Sequence, residues 1–228
     1  MSPVSYGLTS LATLDALLAG HPHLVVSGHS LPGFLEFSCG AWKRRLALDD
    51  PYGKLTETED NNPLVCADLG LVPGPATTLA LVALTPLLLA DLVQAEPGLL
   101  FSFSPDGLDL ARLGIECAVA VQEMDLGTAL GLNAMVEIPH AVSPDEVSEL
   151  FDERYGRAFF VRAAEGDWDT RLVAGQPHAV YRLRLTPGEM TNLLTVQVMA
   201  DRDGKCGAAQ VVHKLNVMCG FEETLGIC

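Results

Sequence analysis

The sequence predicts an α+β fold, a largely antiparallel or mixed sheet with helices on one face. Three observations carry this expectation. Six short stretches rich in Val, Ile, Leu and Phe (98–104, 115–122, 132–139, 158–163, 178–186 and 192–200) follow one another with one helical segment among them. Runs of neighbouring strands without intervening helices pair as antiparallel sheets rather than through crossover units. The last two stretches carry alternating apolar positions, Val180, Leu183 and Leu185, then Leu194, Val196 and Val198, as half-buried strands do. The chain then closes on an apolar helix from about Gly207 to Met218.

The earlier elements follow from the same signals. Leu11, Leu14, Leu17 and Leu18 recur at helical spacing, and Gly20 ends the run. Residues 23–27 read as a short strand. From Gly33 to Asn62 the pattern is poor, and the acidic, turn-rich stretch from Asp49 to Asn62 is the most loop-like part of the chain and the best boundary. Residues 75–93 read as a buried helix. Pro75 suits its first position, where a missing N–H costs nothing. Ser143-Pro144-Asp145-Glu146 forms a capping box that starts a helix with Val147, Leu150 and Phe151 on one face.

Composition bounds the function. The chain has 228 residues, 49% hydrophobic and 19% charged, which suits a packed core. Fourteen Lys and Arg against 29 Asp and Glu give a net charge of −15, which argues against nucleic acid and anionic membrane as partners. The cysteines Cys39, Cys66, Cys117, Cys206, Cys219 and Cys228 form no C-x-x-C pair, so a zinc ribbon and a thioredoxin-type site are disfavoured. Residues 1–10 lack the basic start and apolar run of a secretory signal. The longest apolar stretch, Leu79 to Ala90, falls short of the roughly 20 residues a bilayer needs. These features predict a cytoplasmic protein with free thiols used as small buried side chains.

Chemical motifs are sparse. His21, His23 and His29 lie near Cys39, but their spacing matches no standard zinc pattern. The acidic residues between Asp49 and Asp60 match no calcium loop and read as solvated, as does the basic run Lys43-Arg44-Arg45. There is no G-x-S-x-G, no phosphate-binding loop with its Lys and no H-E-x-x-H. Gly70 and Gly74 precede a helix, a place where an ordinary turn and a weak anion site are both compatible with the sequence.

Residues 204–226, GKCGAAQVVHKLNVMCGFEETLG, carry the most specific signal. Lys205, Gly207-Ala208, Gln210, the Leu215-Asn216-Val217-Met218 run, Gly220 and Glu223-Thr224-Leu225-Gly226 resemble the closing helix of the N-acetyl-gamma-glutamyl-phosphate reductases. Phe160-Val161-Arg162, Asp169-Thr170 with Gly175, and Asp201 resemble that family's preceding segments. Pro73-Gly74, Thr78 and the run 79–88 resemble the helix that begins at its catalytic cysteine. The resemblance covers roughly residues 72–226 and implies a C-terminal dimerisation domain of the semialdehyde dehydrogenase superfamily. Residues 1–71, with LLAGHPHLVV between Leu17 and Val26, then resemble a truncated remnant of the family's Rossmann-like α/β domain.

The departures from the family are chemical. Gapless alignment places Pro75 at the nucleophile's position, and proline has neither a thiol nor an N–H. Residues 116–130 hold neither the His nor the Arg the family carries there, and the glycine fingerprint of a dinucleotide site is missing. Acyl-phosphate reduction needs a nucleophile, a proton donor and a hydride source together. The resemblance therefore implies a catalytically inactive homologue, an assembly or regulatory subunit that pairs with itself or with an active reductase and takes no cofactor. Two alternatives stay open: a diverged NADP-dependent reductase or acyl-transfer enzyme using Cys206 or Cys66, and a module binding a small anionic metabolite. The cleft for the binding module is expected between 72–78 and 204–210, with Gly74, Pro75, Thr78, Lys205, Cys206 and Gln210 as its candidate residues. Cys206, beside Lys205 at a helix start, reads first as a packing residue; a reactive thiol of lowered pKa is the alternative that its position makes physically plausible.

Overall fold

The computed structural model describes residues 11–31, 33–59 and 61–228. The expectation for residues 1–10 and the side chain of His29 lie outside what is described. The elements run α1 (Leu11–Gly20), β1 (Val25–Leu31), β2 (Phe34–Cys39), β3 (Trp42–Ala47), α2 (Asn61–Val65), β4 (Leu69–Leu71), α3 (Pro75–Leu89), β5 (Gly98–Phe101), β6 (Ala118–Val121), β7 (Ala129–Pro139), α4 (Pro144–Tyr155), β8 (Val161–Ala163), β9 (Ala179–Thr186), β10 (Thr191–Asp201) and α5 (Ala208–Cys219). The fold is α+β. Among the described residues, no helix is long and apolar enough to cross a membrane.

The larger sheet has six strands in the order β6-β5-β7-β10-β9-β8. Its centre is antiparallel. β10 opposes β7 over their full lengths, from Thr191↔Pro139 to Asp201↔Ala129, and β9 on the other side. Only the two edges, β6 on β5 and β8 on β9, are parallel pairs. Along β7 the residues Leu130, Leu132, Ala134, Val136 and Ile138 are buried, while the intervening Met135 and Glu137 are exposed. That period of two puts one face against α3 and α4. The other face is covered at one end, where Val173, Trp168 and Leu172 pack on Ala129, Val180 and Met199, and is exposed at the other, around Met135 and Leu193. Leu194, Val196, Val198 and Ala200 of β10 extend the same buried face.

α3 is almost wholly buried, with Pro75 at its first position as the sequence predicts. Pro86 lies inside it. A proline there withdraws the N–H that would bond to the carbonyl four residues earlier, Val82. The buried Tyr155 hydroxyl of α4 donates to that same Val82 oxygen at 3.2 Å, so the carbonyl keeps a partner. α4 begins with the predicted capping box. The Glu146 N–H donates to Ser143 Oγ at 3.2 Å, and the Ser143 N–H donates to Glu146 Oε2 at 2.7 Å.

The smaller sheet, β1-β2-β3-β4, contains a correction. The sequence pattern from Gly33 to Asn62 reads as poorly structured, yet 34–39 and 42–47 form an antiparallel hairpin, and β4 joins β3 in parallel. Leu35, Phe37, Leu46 and Ala47 are its buried positions. The intervening charges hide the alternation. Arg44 belongs to that buried set too, not to solvent. It donates to the Met218 carbonyl and stacks on Trp42, 3.8 Å from the ring centroid. A second core joins this sheet and α1 to α5, through Leu14, Leu18, Leu35, Phe37, Leu46 and Val72 against Val211, Val212, Leu215 and Met218. The closing helix thus returns to pack on the first 72 residues.

Candidate functional site

The start of α5 is set by backbone crowding. A side chain on Gly204 would put a Cβ 2.1 Å from the Gln176 carbonyl oxygen, and one on Gly207 would put it 2.2 Å from that of Arg202. Glycine alone fits both positions. The buried Asp201 carboxylate ties this turn together. Its Oδ1 accepts the N–H groups of Asp203 (2.9 Å) and Gly204 (3.2 Å), and its Oδ2 accepts Thr128 Oγ1 (2.6 Å) and the Gly175 N–H (2.8 Å). Lys205 and Cys206 therefore leave the turn in fixed directions.

The structure brings the predicted segments 72–78 and 204–210 together. Gln210 Nε2 donates to the Pro73 carbonyl at 3.1 Å and to Thr78 Oγ1 at 2.9 Å, and Cys206 Sγ lies 3.9 Å from the Pro75 carbonyl oxygen. They meet as a packed junction, not as the expected cleft. Pro75, Thr78, Lys205, Cys206 and Gln210 are all buried and Gly74 is half-buried. Of the two readings of Cys206, packing holds and the reactive thiol does not. Burial pushes its thiol well above the ordinary cysteine value, and the smaller pull of Lys205 does not offset it. Cys66 follows the short helix α2 and is exposed.

Lys205 does not face a ligand space because Glu57 occupies it. The Lys205 ammonium donates to Glu57 Oε1 at 2.6 Å and to Oε2 at 2.8 Å, with both side chains almost fully buried. Burial alone would raise the Glu57 carboxyl. The ammonium, then His213, outweigh it and hold that carboxyl below its usual range. His213 sits 3.8 Å from Glu57, 3.3 Å from Glu223, and 4.2 Å from the Phe160 ring centroid. Burial, more than any other factor, holds its imidazole below the ordinary histidine value. Beside it, the buried Lys214 donates to Glu59 and to the Lys54 carbonyl. Residues 49–59 are thus not the solvated loop their composition predicts. They carry the carboxylates that neutralise Lys205, just ahead of α5, and Lys214 within it. Gly53 lets this stretch pass the α3 approach, since a Cβ there would meet Pro73 N at 2.3 Å.

Sequence reasoning missed Glu57, Glu59, His213 and Lys214. The usable signal was Gln210, His213 and Lys214 standing together on an otherwise apolar helix. The histidine group resolves differently. His21 is buried, its Nε2 is 2.9 Å from Asn216 Oδ1, and its Nδ1 accepts the His23 N–H. Among the described residues, no group of three or more His, Cys, Asp or Glu is placed to hold a metal ion. β1, β2 and β3 succeed one another as a meander, not as the strand–helix–strand alternation of a dinucleotide-binding unit.

With this geometry in view, similarity to known proteins narrows the reading. The chain is 34% identical over 106 residues to N-acetyl-gamma-glutamyl-phosphate reductase of Halorhodospira halophila (strain DSM 244 / SL1). It is similar to that reductase in part. The matched stretch is 46% of this chain and 29% of the relative, so the chain spans less than a third of the protein it matches. No family model matches.

Proposed function

We propose that this chain is a catalytically inactive relative of N-acetyl-gamma-glutamyl-phosphate reductase, acting as an assembly or regulatory subunit in arginine-type amino-acid biosynthesis. The observation that carries the reading is Pro75. It takes the first position of α3 after Pro73-Gly74, where the resemblance expects the nucleophilic thiol. The nearest substitute, Cys206, is buried against the Pro75 carbonyl with its thiol pushed up. The junction that would hold an acyl phosphate is filled by Gln210, Thr78 and the Glu57–Lys205 pair. The role left to the fold is assembly. The exposed end of the large sheet's second face supports it, with Met135 and Leu193 each about two-fifths exposed there. In this reading the partner is a second copy or an active reductase, met through β9 and β10.

The test has two parts. The purified chain is expected to oxidise no NADPH with N-acetyl-glutamyl phosphate. Turnover that disappears when one cysteine is removed would overturn the reading. An affinity pull-down from the host is expected to bring down a full-length reductase, or the chain itself, in near-equal amount. Recovery of the chain as a monomer alone would remove the assembly role.

A further inference from the structure

The two edges of the large sheet are guarded unequally. β8 is three residues long and carries Arg162, whose Nε donates to the Phe159 carbonyl at 3.0 Å. A charge in a short strand is a usual protection against unwanted pairing. β6, Ala-Val-Ala-Val, has no charge, no proline and no bulge within it. All four of its residues are exposed, Val119 by 48% and Val121 by 46%. The Ala118 N–H donates to the Pro97 carbonyl and the Gln122 N–H to that of Phe101, both at 2.9 Å. Backbone groups alternate along a strand, so those of Val119 and Val121 point away from β5.

Acidic groups surround this edge. Glu116 and Glu123 flank β6, and Glu96 approaches from the start of β5; all three are exposed. Against the strand lies a cavity of about 370 Å³, walled by Leu108, Ile115, Cys117 and Val119, with Glu96 and Glu116 also lining it. Burial, and then the Glu96 carboxylate, push the Cys117 thiol of that wall up to about 11.

We propose that the β6 edge accepts an extended segment of another protein, with Lys or Arg flanking an apolar stretch and one basic side chain entering this cavity. Main-chain pairing supplies affinity in such strand addition, and the side-chain pocket supplies choice. The apolar wall suits the stem of a Lys or Arg, and the two glutamates suit its head. A second copy of this chain fits less well. Antiparallel pairing of β6 with itself sets the Glu116 end of one copy against the Glu123–Asp125 end of the other, acid on acid at both ends.

The test uses the full chain and two fluorescent heptapeptides, KVTVTVK and EVTVTVE, followed by anisotropy. The basic peptide is expected to bind at least about tenfold more tightly than the acidic one, with an affinity that falls as salt rises. Val119→Pro deletes one outward N–H at an edge where proline is tolerated, and is expected to abolish binding. Should that variant fail to fold, Glu96→Gln with Glu116→Gln is expected to weaken the basic peptide several-fold and flatten its salt dependence. Equal binding of both peptides, or binding of neither, overturns the proposal. So does a dimer of the chain that dissociates in Val119→Pro, which would assign the edge to a second copy.

Discussion

Between α3, α4 and the large sheet the core is almost wholly aliphatic and aromatic, from Leu79 and Val82 to Phe151 and Val196. Around α5 the interior instead encloses Lys205, Lys214, His213 and Glu57. The first interior holds by area and fit, and each side chain in it is replaceable by another of similar volume. The second holds by pairing, and each ion is tolerated only while its partner remains. The two regions should therefore fail in different ways under substitution and acid.

The largest effect is expected at Lys205→Met. It leaves Glu57 buried without its cation and should cost about 3–5 kcal/mol in denaturant melts. Adding Glu57→Gln should recover part of that loss. A single-variant loss no larger than that of a surface substitution would mean the pair is not buried as described. In the apolar core, Leu194→Ala should cost about 3 kcal/mol, and no second-site polar change should recover it. Tyr155→Phe removes the hydroxyl that serves the Val82 carbonyl left open by Pro86, and should cost about 1–2 kcal/mol. If it costs nothing, that carbonyl has found another partner.

Acid sharpens the comparison further. His213, faced by Glu57, Glu223 and Lys205, titrates below the ordinary histidine value of 6.5. The unfolded chain then binds its proton more readily than the folded chain. Stability from neutral His213 is complete above 6.5 and is lost as pH falls below it. Glu57 and Glu223 are both held below 4.5, so their contribution is lost only as pH falls further, through that value and below. The melting temperature should therefore decline in two stages on acidification, and His213→Gln should remove the first. An unchanged first stage in that variant would place its origin elsewhere.

The same contrast explains what was legible in the sequence. The strands and helices from Pro75 onward announce themselves because burial there is apolar, and alternation in residues such as Leu194, Val196 and Val198 needs no partner to be read. The Ser143 capping box and Pro75 are local signals of the same kind. The hairpin at 34–47 and the buried acidic stretch are not local. Glu57 reads as a solvated carboxylate until Lys205, 148 residues later, is placed against it. Arg44 reads as surface until the Met218 carbonyl arrives, 174 residues on. The segments of the candidate site were legible from the resemblance, and their contact is present. Their closure was not, because it depends on those distant charges filling the space.

Site-resolved thiol labelling of the folded chain at neutral pH addresses the missing nucleophile most directly. The exposed Cys66 and Cys228 should react at the rate of a free cysteine peptide, and Cys206 should stay unlabelled until the chain unfolds. A single thiol reacting far faster than that peptide, Cys206 above all, would contradict the account and return the chain to the enzymes.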